Sequence, residues 1–200
     1  ILNHAKNLGM KVSVSSLAVE TLSEEVMGLL RTLGVQQLTL AVEHGDEKVR
    51  KELGKPFSDE DLIRTLKVAE SFGYKGVKLY FINGVTSEWK FNADSAIKLL
   101  KDIRQSVRMS IKVSGSVFVP KPGTPMEDKP FPPEQLIDME RKALLSNLPG
   151  VSFAFEPYWD AQKEFVLSRL RAEDLPMFVS ILNEKGERKA IEFLSEKYSS

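Results

Sequence analysis

Polar and charged residues recur where apolar stretches of this sequence end, and their types suit the binding of a polar ligand. Glu43 and His44 follow an apolar stretch over residues 37–42, and Ser15 and Ser16 end another that starts at residue 11. Lys121 follows a third such stretch. A carboxylate accepts hydrogen bonds from hydroxyl and amino groups, a serine hydroxyl donates and accepts, and an ammonium donates. These residues are therefore the candidate ligand contacts.

The composition excludes several kinds of site. Lysine plus arginine equals aspartate plus glutamate at 28 each, so no overall field attracts nucleic acid, and we predict no clear nucleic-acid patch. The sequence has no cysteine, which excludes disulfides, a cysteine nucleophile and thiolate ligands for zinc or iron–sulfur clusters. No metal site is predicted. No apolar run reaches the ~18 residues of a membrane span, and we expect a cytoplasmic protein.

Apolar periodicity predicts alternating strands and helices. Strands are predicted over residues 11–15, 37–42, 77–82 and 111–119, and helices are predicted to begin near Ser23, Ser58 and Asn92. Each connection is long enough for a right-handed crossover, so the strands should be parallel. We predict an α/β fold: a partial (β/α) TIM-like barrel of about four parallel βα units, followed by an α-rich C-terminal extension.

This topology would gather the candidate residues at one edge of the sheet. The carboxyl ends of parallel strands lie on the same side, where ligand sites form in such folds. Alternation along the strands also predicts one apolar face for the helices and one mixed face. The mixed face comprises Ser13, Ser15, Thr39, Ala41, Glu43, Lys78, Tyr80, Ile82, Lys112, Ser114, Ser116 and Phe118. Such a lining favours a wide interior around a polar ligand; the alternative is an open sheet whose polar face meets solvent.

Proline marks the predicted domain boundary. Six of the ten prolines fall between Pro120 and Pro133, where the chain should run extended. We predict a partial barrel over residues 1–125, and a Pro-rich linker with an α-rich extension over residues 126–200. The extension includes a short apolar strand, "VSFAF".

Four strand ends, taken in order, resemble the radical S-adenosylmethionine superfamily, a six-stranded partial barrel, and its methylthiotransferase-like and B12-domain-linked branches. They read "VSVSSLAVETLSEEVMGLLRTLGV", "VEHGDEKVRK", "FINGVTSE" and "VPKPGTP". The likeness spans residues 1 to about 125. It implies that this chain is the C-terminal part of such an enzyme, lacking the first two barrel strands, with an unknown substrate and no assigned catalytic residue.

The resemblance also implies a cofactor geometry. Glu43 would approach the ribose or methionine part of S-adenosylmethionine, and Ser15 or Ser16 would line the same pocket. Ile82 and Gly84 would flank the adenine, and the backbone near Val119 would complete that wall. These six residues are the predicted cofactor-binding set.

The sequence departs from the family pattern in several places. Ala18 stands where a basic residue is usual, Tyr80 where a glycine is commoner, and Thr86 where a proline is common. The Cys-x-x-x-Cys-x-x-Cys motif is missing, so the [4Fe-4S] cluster is expected only in a full-length protein, bound by cysteines upstream. The fragment alone is predicted to be inactive.

Several alternatives remain open at this stage. Glu43 could cap the following helix, and His44 reads more readily as a surface or capping residue. Lys78 or Lys112 could hold an anionic substrate, serve as the Schiff-base amine of a (β/α)-barrel lyase or aldolase, or reach solvent at the barrel's far mouth. A non-catalytic binding or scaffold module with a relic barrel is a further possibility. The exposed edge of the first strand predicts self-association.

Overall fold

The computed structural model describes residues 1–199. Within that range the helices and strands alternate for most of the chain. Four strands are β1 (Gln37–Glu43), β2 (Gly76–Asn83), β3 (Ser110–Val117) and β4 (Ser152–Phe155). The helices are α1 (Leu2–Asn7), α2 (Glu24–Thr32), α3 (Glu47–Glu52), α4 (Asp59–Ser71), α5 (Trp89–Ser106), α6 (Glu134–Asn147), α7 (Tyr158–Arg169), α8 (Leu175–Lys185) and α9 (Glu187–Ser199). Short 3₁₀ helices cover Val19–Thr21 and Ala172–Asp174.

The strands form one sheet in the order β1-β2-β3-β4, and all three pairings are parallel. The predicted α/β class with a parallel sheet is confirmed. Three predicted strands match β1, β2 and β3 within two residues at each end. The fourth strand is the short apolar stretch at Ser152–Phe155, which pairs with β3 from within the predicted C-terminal extension.

The strand predicted at residues 11–15 is not formed, and this prediction was wrong. The chain meets β1 only at an isolated bridge between Leu17 and Leu40. Leu17 donates to the Thr39 carbonyl at 2.8 Å and accepts from the Ala41 amide at 3.2 Å. Earlier, the Val12 amide donates to the carbonyl of Leu33 at the end of α2, so the segment is held by that helix instead of by β1.

Helices cover one face of the sheet and bury the main core against it. The buried side chains of this core include Leu38, Leu40, Val77, Leu79, Ile111 and Val113 from the strands and Leu30, Leu62, Leu66, Leu99, Leu100 and Ile103 from the helices. A second core joins the end of β3 to the C-terminal helices, through Val117, Phe131, Ile137, Phe165, Ile191 and Leu194.

The two predicted helix caps, at Ser23 and Ser58, are confirmed. Ser58 and Asp61 form a capping box at α4, and the Ser23 hydroxyl accepts from the Val26 amide at α2. The third helix, α5, begins at Trp89, three residues before the predicted start. Glu88 occupies its N-cap position but makes no capping hydrogen bond through its side chain.

None of the helices among residues 1–199 combines the length and the apolar character that a membrane crossing requires.

Candidate functional site

One face of the parallel sheet is polar and only partly covered. We call it the polar face: Thr39, Lys78, Tyr80, Ile82, Lys112, Ser114 and Ser116. Six of these side chains are half-buried and Lys112 is exposed, whereas the alternate residues of β2 and β3 are buried under the helices. Parallel sheets usually have both faces covered. The polar face is therefore the surface on which this fold leaves room for a ligand or a further layer.

Glu43 lies at the carboxyl end of β1 in an unusual backbone conformation. Its φ is 70°, in the left-handed region that favours glycine, and the β1–β2 register shifts between Ala41 and Glu43. A non-glycine residue in the left-handed region costs roughly 1–2 kcal/mol, and residues held there tend to cluster at functional sites. The strained residue is thus one of the predicted cofactor contacts.

The Glu43 side chain is half-buried, and its closest charge is Lys55, with Oε1 3.8 Å from Nζ. Burial raises the pKa of the Glu43 carboxyl, while Lys55 opposes that shift. The alternative role as a helix cap is wrong. Asp46 caps α3 instead, because its Oδ1 accepts from the amides of Lys48 and Val49 at 2.9 and 3.1 Å.

A small apolar cluster lies beyond the carboxyl ends of the strands, apart from the main core. It contains buried Val49, Val85 and Phe118, with Leu53, Ile82 and Met126 packed against it. Leu53, Phe118 and Met126 also line a cleft of ≈ 350 Å³ together with Gly54, Val119 and Pro125. The structure therefore brings two predicted residues, Ile82 and Val119, to one place around Phe118.

The two predicted serines lie elsewhere. Ser15 and Ser16 are exposed and precede Leu17, whose partner Leu40 is in the middle of β1. Because the segments run parallel at that bridge, the serines lie toward the amino end of β1 and not beyond its carboxyl end.

Gly84 faces the helices. It is buried with φ 76°, and a Cβ built on it would lie 2.6 Å from Ile137 Cδ1 and 2.8 Å from Pro132. Its amide donates to Glu140 Oε2 at 3.0 Å. The glycine is needed at this position because the backbone approaches α6 closely, which is a structural reason for it.

A buried polar network that the sequence analysis missed lies behind the strand ends. Glu140 of α6 is 2% exposed and accepts from the Asn83 amide group at 2.7 Å, the Gly84 backbone and the Asn92 amide group at 3.2 Å. Burial raises the pKa of Glu140, and these three hydrogen bonds oppose that shift. One signal was available: Glu140 lies on the apolar stripe of α6 between Ile137 and Leu144, three and four residues away.

His44 belongs to the same network, so the prediction of a surface position was wrong. It is 2% exposed, and its Nδ1 accepts from the Asp46 amide at 3.0 Å. The ring proton is therefore on Nε2, which donates to Asn92 Oδ1 at 3.1 Å. Burial lowers the pKa of His44, which keeps the ring neutral. Thr86 also donates to Asn92 Oδ1, at 2.7 Å, so every polar atom of Asn92 is used.

Lys78 and Lys112 differ in their surroundings. Lys78 Nζ donates to the Tyr80 hydroxyl at 3.1 Å and lies 4.6 Å from the centre of the Tyr80 ring. Lys112 is exposed. Both lie near the amino ends of their strands, far from Glu43 along the sheet.

The residues described here offer no group of three or more His, Asp or Glu side chains that could hold a metal ion. With no cysteine in the sequence, thiolate ligands for a cluster would have to come from another polypeptide segment.

No family model matches the chain. An uncharacterized protein from Methanocaldococcus jannaschii is 30% identical to it over 131 residues. The alignment covers 66% of this chain and 29% of the archaeal protein, so the chain spans less than a third of that relative's length. Because the relative is itself uncharacterized, the similarity identifies a related sequence and no activity.

Proposed function

We propose that this chain is the C-terminal part of a radical S-adenosylmethionine enzyme and supplies the nucleoside-facing wall of its cofactor site. The polar face would be the inner wall of a partial (β/α) barrel, with the remaining strands contributed by other residues of the whole protein. The observation that carries the proposal is Glu43, a strained, half-buried carboxylate at the carboxyl end of β1 on a parallel sheet with one open face.

Two features support a nucleoside as the ligand. Glu43, strained and half-buried, lies at the carboxyl end of β1, the side where ligands bind in parallel α/β folds. The apolar cleft at Phe118 and Val119 lies beyond the carboxyl end of β3, on the same side. A bound adenosyl group would present its ribose hydroxyls to Glu43 and its flat base to the cleft.

The cluster would be held by cysteines outside this chain. In this superfamily it supplies an electron for cleavage of S-adenosylmethionine. The role proposed for the residues present is limited to binding: Glu43 accepts hydrogen bonds from the cofactor, and Ile82, Phe118 and Val119 exclude water from the base. This chain alone would therefore bind weakly and would not react.

The test is calorimetric titration of the full-length protein with S-adenosylmethionine, with Glu43→Gln and Glu196→Gln side by side. A charge-assisted hydrogen bond contributes about 1.5–3 kcal/mol, so Glu43→Gln should weaken binding by about tenfold or more. Glu196 is exposed on α9, and its variant should bind like the wild type. Absence of binding to the wild type would reject the proposal and favour a scaffold module.

A second readout addresses the chemistry. The full-length protein, reconstituted with iron and sulfide and given a reductant, should form 5′-deoxyadenosine from S-adenosylmethionine. A full-length sequence without three clustered cysteines would also end the proposal.

The Schiff-base alternative gains no support from the lysines. Lys112 is exposed to water, and Lys78 is hydrogen-bonded to a phenol. A Schiff-base amine is usually activated by desolvation or by a nearby cation in a closed pocket.

A further inference from the structure

Two lysines lie side by side on the polar face without an acidic partner. In the β2–β3 register Lys78 is directly opposite Lys112, and the same row continues through Thr39 on β1 and Ser152 on β4. Neighbouring strands lie about 4.8 Å apart, and paired residues share a face. The two lysine side chains therefore leave the sheet from neighbouring positions on the same face.

Like charges directly opposite each other on a sheet repel. Among residues 1–199 neither lysine forms an ion pair, and Glu43, at the carboxyl end of β1, pairs with Lys55 instead. An anion between the lysines would remove the repulsion.

The surroundings also favour an oxyanion. Tyr80 positions Lys78, since its hydroxyl accepts from Nζ at 3.1 Å and its ring centre lies 4.6 Å from the ammonium. The phenol hydrogen remains able to donate to a ligand, because the phenol oxygen accepts from Lys78. Ser114, in the register position opposite Tyr80, adds a hydroxyl on the same face.

We propose that Lys78, Lys112 and Tyr80 form a binding site for a compact oxyanion, the phosphate or carboxylate group of a polar substrate. As a substrate site it rests on the proposed function, since the polar face would then line the barrel interior. As an anion site it depends only on the strand register. The site lies near the amino ends of β2 and β3, so a substrate anchored there would extend along the polar face toward the carboxyl ends of the strands.

The test uses thermal unfolding and calorimetry of the full chain with inorganic phosphate or succinate, against sodium chloride at equal ionic strength. Phosphate or succinate should raise the Tm of the wild type above the chloride reference. Lys112→Gln and Lys78→Gln should lose that rise and weaken binding by about tenfold, as expected for one charge-assisted contact. The anion that gives the larger shift distinguishes a phosphate from a carboxylate substrate.

Lys101→Gln is the matched control, because Lys101 is exposed on α5, outside the polar face. Lys78→Arg keeps the charge and should retain binding, which separates loss of the site from loss of the fold. No shift in the wild type, or equal shifts in all variants, would overturn the inference.

A parallel titration of the full-length protein with S-adenosylmethionine separates the two proposals. If the cofactor binds and neither anion does, only the oxyanion site is rejected. If an anion binds and the cofactor does not, the oxyanion site stands and the proposed function falls.

Discussion

Backbone strain at Glu43 is the residue-scale feature with the clearest consequence. A φ of 70° is easily reached by glycine but is unfavourable for any residue that carries a Cβ. Glutamate is kept there at a cost in stability, and the structure shows no capping role that would explain it, because Asp46 caps α3. Lys55 is its ionic partner within the chain, and a ligand contact is the role that we propose for the side chain.

Glu43→Gly and Glu43→Ala should separate the strain from the side chain. Both remove the carboxylate and its contact with Lys55, but only glycine relieves the positive φ. We expect Glu43→Gly to be more stable than Glu43→Ala by about 1 kcal/mol, with both equally defective in binding S-adenosylmethionine in the full-length protein. Chemical denaturation measures the first difference. Equal stabilities would mean that the backbone relaxes in the variants and that no strain is stored.

At the scale of elements, Glu140 ties α6 to the end of β2. Its carboxylate accepts from Asn83 and Gly84 on the strand side and from Asn92 on α5, so one side chain joins three elements. Removal of the acceptor would leave three buried donors unsatisfied, each at about 1–3 kcal/mol.

The pH dependence of this tether has a definite sign. Burial raises the folded pKa of Glu140 above its ordinary value of 4.5, so its contribution to stability is fully present below pH 4.5 and is lost as the pH rises through the folded pKa. The free energy of unfolding of the wild type minus that of Glu140→Gln should therefore fall as the pH rises from 4.5 toward 7. The slope is at most about 1.4 kcal/mol per pH unit for one proton.

Urea unfolding at a series of pH values measures this difference. Glu134→Gln, on the exposed first turn of α6, is the control and should track the wild type throughout. Glu140→Leu should be the least stable variant at every pH, because leucine cannot accept any of the three hydrogen bonds. If this difference in the free energy of unfolding does not vary with pH, folding leaves the pKa of Glu140 unchanged.

The same elements show what the sequence could and could not predict. β1, β2 and β3 were predictable because an alternating apolar pattern coincided with capped helices on either side. Residues 11–15 show the same alternation of apolar and polar side chains. The Val12 amide nevertheless donates to the Leu33 carbonyl, and this hydrogen bond holds the segment against α2. Such long-range pairing has no local signature, and this also explains why "VSFAF" was recognised as a strand but not as a neighbour of β3.

The candidate site residues also differ in how much of their role the sequence could predict. Glu43 could be chosen because charge follows an apolar strand, but its positive φ has no counterpart in the sequence. Gly84 was assigned to a ligand wall, and its actual neighbours, Ile137 and Pro132, lie about 50 residues further along the chain. The contact between Asn92 and His44 could not be predicted, because only the folded chain brings the two side chains within 3.1 Å of each other.

At the scale of the whole molecule, the sheet has an edge at β1 that is only partly covered. The Leu17 backbone pairs with the Thr39 carbonyl and the Ala41 amide. Among residues 1–199, no other pairing is formed on that side of β1. Unpaired strand edges favour association with a second chain. Self-association through this edge stays a prediction. Because no strand forms at residues 11–15, the exposed edge is that of β1, beside the Leu17 bridge.

Leu17→Pro tests whether the bridge protects the edge. Proline removes the amide that donates to Thr39, so the bridge should open and the outer side of β1 should become available to another chain. Leu17→Ala loses a similar apolar contact but keeps both backbone hydrogen bonds. We expect sedimentation velocity to show greater concentration-dependent association for Leu17→Pro than for Leu17→Ala. If both variants sediment alike across the concentration range, the bridge does not limit association, and a copy of the chain or the rest of the whole protein must be sought on the polar face instead.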